Sequence, residues 1–130
     1  MGANVTVKSY TRERQGEIYD RLRKNMGKVG AVIERQAKKN VSRTGNEHPQ
    51  VDTGRLRSSI IYWQWTEPNI FGVAVGTNVS YGKSLEFGYH HNRNGEFIGP
   101  YPWLFPAVEM SRDKIVELIG SKYSAVVEGD

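Results

Sequence analysis

Between Thr11 and Asn40 the apolar residues Ile18, Leu22, Met26, Val29, Ile33 and Ala37 recur at steps of three and four. That spacing puts them on one stripe of an amphipathic helix. Thr11 is placed to cap it, and thirty helical residues span about 45 Å. Gly27 and Gly30 lie inside. Each costs about 1 kcal/mol against alanine, so a kink or a close crossing is expected there. Arg14, Arg21, Lys28 and Arg35 repeat every seven residues. They drift only about 20° per step and form a basic stripe away from the apolar one.

Ahead of that helix, residues 5–8 read as a short edge strand. Behind it, Val41 to Val51 contains Thr44-Gly45-Asn46 and His48-Pro49 and reads as a loop, with flexibility expected over 42–51. Asp52-Thr53-Gly54 opens a short helical turn that runs through Ser59, capped by Asp52 or Thr53. Ile60 to Thr66 is β-branched and aromatic and predicts a strand. Glu67-Pro68-Asn69 turns the chain, and Ile70 to Thr77 returns as the second strand of an antiparallel hairpin. Tyr81 to Phe87 reads as one short helix closed by Gly88, and Asn94-Gly95 as a hairpin turn. Pro100 to Pro106 is an extended aromatic connector, with Pro106 suited to the first position of a terminal helix. Val108, Ile115, Ile119 and Val126 mark that helix's core face. The expected fold is a single α+β domain over residues 1–130. In it a long N-terminal helix and a C-terminal helix pack on a small antiparallel β-sheet, a meander.

Composition narrows the function classes. The 130 residues suffice for one real core. There is no cysteine, which excludes a disulfide framework, a thiolate metal site and a cysteine nucleophile. No segment approaches a membrane-spanning length, and Met1 to Lys8 lacks the apolar run of a signal peptide. A protein made and used without secretion, with no membrane partner, is expected. The net charge of +4 is local: residues 11–40 hold nine Lys or Arg against four Asp or Glu. A phosphate backbone or an acidic partner fits that segment, as does a plain solvated helix face.

A search for reactive constellations finds little. His90 and His91 are adjacent, so on a strand they point to opposite faces and do not share a metal. There is no Gly-x-Ser-x-Gly elbow and no phosphate loop ending in Lys-Ser/Thr. Gly72-Val73-Ala74-Val75-Gly76 lies in a strand and lacks the third glycine of a dinucleotide fingerprint. Glu86 sits between apolar neighbours without a second carboxylate nearby. It reads as a structural group that pairs with an arginine such as Arg55 or accepts backbone hydrogen bonds. A hydrolase built on Glu86 would need a partner and a cleft. No catalytic residue, cofactor or metal is expected. The aromatics are the strongest remaining feature: Trp63 and Trp65 share one face of their strand and Tyr62 takes the other. Large aromatics on both faces predict a sheet covered on both sides, by its own helices or by neighbours.

Three segments stand in a telling order. Val51-Asp52-Thr53-Gly54-Arg55-Leu56-Arg57-Ser58-Ser59-Ile60 comes first. Val75-Gly76-Thr77-Asn78-Val79-Ser80-Tyr81-Gly82-Lys83-Ser84-Leu85-Glu86-Phe87-Gly88 follows after the hairpin. Pro102-Trp103-Leu104-Phe105-Pro106-Ala107-Val108-Glu109 leads into a helix. This order and spacing resembles the tail-completion proteins of long-tailed bacteriophages, from about residue 15 to 122. Thr53, Gly54, Arg55, Leu56, Ser59, Tyr81, Glu86, Phe87, Gly88, Pro102, Trp103, Phe105, Pro106 and Ala107 carry the likeness. Gly82 stands where an alanine is common in the family, and Trp103 where a phenylalanine is common.

The resemblance implies an α+β fold and a non-enzymatic role at the phage neck. There a homo-oligomeric ring would join the tail to the head and meet head-completion or connector proteins and the tail terminator or tube. Synthesis in the bacterial host cytoplasm and residence in the virion follow from it. On the residues alone, Gly54 and Gly88 permit tight entry and exit around short helices. Tyr81, Leu85 and Phe87 supply core contacts around Glu86, and Pro102 and Pro106 stiffen the connector that presents Trp103 and Phe105. The loop at 42–51 and the Asn94-Gly95 hairpin are the expected partner contacts. Arg14, Arg21, Lys28 and Arg35 would face either DNA in the channel or an acidic neighbour. The alternative reading is a basic nucleic-acid-binding module that uses the first helix.

Overall fold

The computed structural model describes residues 1–8, 15–47, 53–68, 70–120 and 124–128. In chain order they form β1 (Gly2–Lys8), α1 (Gln15–Glu47), α2 (Thr53–Ser59), β2 (Ile61–Glu67), β3 (Ile70–Gly76), α3 (Ser80–Phe87), β4 (Tyr89–His90), β5 (Phe97–Ile98), α4 (Leu104–Met110), α5 (Arg112–Ile119) and β6 (Ser124–Glu128). The main sheet is antiparallel with strand order β2-β3-β1-β6, and β4-β5 is a separate small hairpin. The α+β layout of helices on an antiparallel sheet is therefore the one expected.

The core follows from period matching. Met26, Val29, Ile33, Ala37 and Val41 of α1 are all buried, as are Ala3 and Val5 of β1 and Phe71, Val73 and Val75 of β3. The 3.6-residue stripe of the helix thus meets one pleat face of the sheet. Helices α4 and α5 pack alongside α1, adding Leu104, Ala107, Val108 and Ile115, while α2 adds Leu56 and the residue that follows it, Ile60, is also buried. Gly30 is a true close crossing: a Cβ there would lie 2.5 Å from Tyr62 Cδ2 and 2.7 Å from Val73 Cγ2.

Four expectations are corrected. Helix α1 continues to Glu47, so residues 42–47 are helical rather than loop, and 48–51 lie outside the described residues. Val41 explains the extension, because it prolongs the apolar stripe by one more four-residue step and is buried. Second, β1 is a central strand, not an edge, since it pairs with β3 on one side and β6 on the other. Third, the terminal helix is two short helices meeting at the buried Ser111, and it stops at Ile119, where Gly120 takes φ 84°. Val126 lies on β6, opposite Asn4, instead of on a helix. Fourth, the sheet is a hairpin joined by strands from both ends of the chain and not a simple meander.

The pleat divides the sheet into two unlike faces. Trp63, Ala74, Asn4 and Val126 form one row across the outer face, and Ile61, Gly76, Gly2 and Glu128 form the next. Helices cover the opposite face. Among the described residues no helix covers this one, so of the two expected ways of covering it, by its own helices or by neighbours, the first is not met here.

Candidate functional site

Two surfaces and one buried knot contain the residues singled out from the sequence. The knot is built on Glu86, which is only 4% exposed. Its carboxylate oxygens accept the backbone N–H groups of Trp103, Leu104 and Phe105, each at 2.7 Å. Those amides open α4 and have no partner within the helix. The side chain of a distant helix thus caps α4, and the accepting of backbone hydrogen bonds, one of the two structural alternatives, is realised. Around it the Trp103 indole N–H donates to the Gly82 carbonyl at 2.9 Å, and Asn40 Nδ2 donates to the Trp103 carbonyl at 3.1 Å. The Ser59 and Thr77 hydroxyls meet at 2.5 Å, and Thr77 Oγ1 also accepts the Val79 N–H at 3.0 Å. That contact ties the end of α2 to the loop before α3.

The motif residues divide between this knot and the surface. Leu56, Trp103 and Ala107 are wholly buried, Tyr81 packs against the core, and Gly88 closes α3 at φ 83°. Phe105 is 54% exposed and Phe87 nearly as open. Phe87 is therefore not a core contact, and Trp103 is an anchor and not a presented side chain. Arg55 and Gly54 are exposed, as is Pro102, while Pro106 is half-buried in the first turn of α4. The side chain of Thr53 and all of Arg14 and Asp52 lie outside the described residues. Asn40 was missed from the sequence; a polar residue one step from a helix's apolar stripe was the available signal.

The first surface is the outer face of the sheet. Small residues at Gly2, Gly72, Ala74 and Gly76 make its floor. Trp65 lies against Gly72, where a Cβ would collide with the indole. Trp63 stands 47% exposed between two shallow hollows. One is lined by Ser58, Ser59, Ile61, Gly76, Thr77 and Asn78, and the other by Met1, Gly2, Asn4, Ala74, Thr77 and Glu128. Ile61 is exposed on the same strand, and Val126 is exposed on β6 at the opposite edge of the sheet. An open apolar face with tryptophans at its edge is the make-up of a protein-docking surface. The second surface is the back of α1, where Arg21, Lys28 and Arg35 are exposed.

His90 and His91 hold the β4–β5 hairpin, and His48 lies outside the described residues. His90 Nδ1 lies 3.1 Å from the Gly95 carbonyl oxygen and its ring meets Phe97 edge-on, while the Arg93 N–H donates to His91 Nδ1 at 3.2 Å.

Residues 6–88 match the family described as "Bacteriophage HK97-gp10, putative tail-component". The chain belongs to that family. The match takes in the first two ordered motifs, at 51–60 and 75–88, and ends before the third. No curated protein and no solved structure matches the chain. As an HK97-gp10-like protein it is a tail-related structural component of the phage particle. No helix among the described residues is long and apolar enough to cross a membrane.

Proposed function

We propose that this HK97-gp10-like chain is a non-enzymatic, ring-forming tail-completion subunit that sits at the phage neck and joins the tail to the head. The observation that carries the reading is the open outer face of the sheet, with Ile61, Trp63 and Val126 exposed over a floor of small residues. Such a face is suited to burial against another virion protein. Where it meets a different surface of the next copy the contact is head-to-tail, and repeated with the right rotation it closes a ring. The carboxylate of Glu86 is engaged with three amides, which supports a structural role for it.

The test is electron microscopy of lysates from a phage lacking this gene. Filled heads and separate tails, converted to whole particles by added protein, are the expected result. Normal infectious particles without the gene would overturn the joining role.

A further inference from the structure

The back of α1 carries more positive charge than the seven-residue repeat suggests. Lys24 and Lys39 join Arg21, Lys28 and Arg35 within about 60° of arc, on the side of the helix away from the buried Ile33. All five are exposed, and none has an ion-pair partner among the described residues. The acids Asp20 and Glu34 lie outside the arc and face Arg23 at 3.6 Å and Lys38 at 3.8 Å. Between Arg21 and Lys39 no acidic residue enters the stripe. The five cations extend over about 27 Å of rigid helix. Arg57 of α2, held to Ser42 Oγ at 2.9 Å, lies beside its far end.

We infer that this stripe is a sequence-independent seat for the phosphate backbone of duplex DNA. Protein interfaces have apolar, aromatic centres and are depleted in lysine. Here three of the five cations are lysines, and among the described side chains of α1 no large hydrophobic residue is exposed. The exposed aromatics are gathered on the sheet and around α3, β5 and α4 instead. A stripe of cations with no exposed apolar side chain among its described neighbours suits phosphate contacts, which position a duplex without reading it.

The test is fluorescence anisotropy of a 20-base-pair duplex with the purified full chain, between 50 and 200 mM salt. Five phosphate contacts give a slope of log K on log salt of about −4.5, or roughly a 500-fold loss over that range. The triple variant Arg21→Gln, Lys28→Gln and Arg35→Gln should reduce the slope to about −1.8, while two unrelated duplex sequences bind alike. Glutamine keeps good helix propensity, and circular dichroism checks the fold. A control triple, Lys83→Gln, Arg112→Gln and Lys114→Gln, should leave the slope in place. Absence of binding at 50 mM salt, or equal loss in the control triple, would overturn the assignment. So would displacement of the duplex by poly-glutamate at equal charge, which would mark the stripe as a seat for an acidic protein. The measurement uses the isolated chain, so its outcome is independent of the head–tail joining assay.

Discussion

Glu86 and Pro106 together account for every amide that opens helix α4. Glu86 takes the N–H groups of Trp103, Leu104 and Phe105. Pro106 occupies the next position, where an amide would otherwise be left over, and brings none. Two residues twenty positions apart thus solve one local problem, and the solution fixes α3 against α4.

Replacing Glu86 by alanine should therefore cost about 3–5 kcal/mol, because three amides at the end of a packed helix lose a charged acceptor. Glutamine keeps one acceptor oxygen but turns an N–H toward an amide, and should cost about 2–3 kcal/mol. Urea denaturation followed by tryptophan fluorescence measures both. A loss under 1 kcal/mol in the alanine variant would show that water replaces the carboxylate.

Gly82 and Trp103, which on the motif resemblance stand where an alanine and a phenylalanine are expected, touch each other. A Cβ on Gly82 would lie 3.4 Å from Trp103 Cζ2, 3.1 Å from Leu56 Cδ1 and 2.8 Å from Thr77 Cγ2. The larger ring stands where the smaller backbone leaves room. Gly82→Ala alone should cost about 1–3 kcal/mol through overpacking, and Trp103→Phe about 2–3 kcal/mol through a cavity and a lost hydrogen bond. The double variant should be more stable than the sum of the two by about 1 kcal/mol, as contacting sites couple. Strict additivity in the double-mutant cycle would mean the two departures are unrelated.

The two glycines inside α1 should respond in opposite directions. At Gly27 an added methyl meets only Gln64 Nε2, at 3.4 Å. Gly27→Ala should thus raise stability by about 0.5–1 kcal/mol through helix propensity. At Gly30 the same methyl strikes Tyr62 and Val73, and Gly30→Ala should lower stability by about 1–3 kcal/mol despite that gain. Thermal melts of the two variants decide the matter, and a rise in both would show that α1 rides higher on the sheet than described.

What was legible in the sequence was what short-range pattern encodes. The apolar stripe of α1, the β2–β3 hairpin, the short helix ended by Gly88 and the Trp63/Trp65 parity all depend on neighbours a few residues away. Strand β1 was mistaken for an edge because its second partner, β6, lies at the other end of the chain. Residues 124–128 passed for helix because Val126 falls seven residues after Ile119. Gly120, the stop signal just past the last periodic position, outweighs that match. The three amides taken by Glu86 lie seventeen to nineteen residues away, beyond any local pattern. The seven-residue repeat picks out only part of the basic stripe; Lys24 and Lys39 belong to it by the helix's own 3.6-residue turn.

Trp63 separates folding from assembly. It is 47% exposed, sits on an edge strand and pairs across the sheet with Ala74. Removing it deletes a cross-strand contact worth about 0.2–1 kcal/mol and leaves the buried core of Val73, Val75 and Ile33 untouched. Trp63→Ser should therefore fold with nearly unchanged stability. If the outer face docks another virion protein, the same variant loses an exposed aromatic anchor, the kind of residue whose removal costs an interface about 2 kcal/mol or more. In the head–tail joining assay it should need at least about thirty times more protein to reach the wild-type yield of whole particles. Lys114→Ser, an exposed change on α5, which packs against α1, should join normally. Full joining by Trp63→Ser at wild-type concentration would remove the sheet face from the interface, whereas a matching loss of stability would make the tryptophan a folding residue and not an anchor.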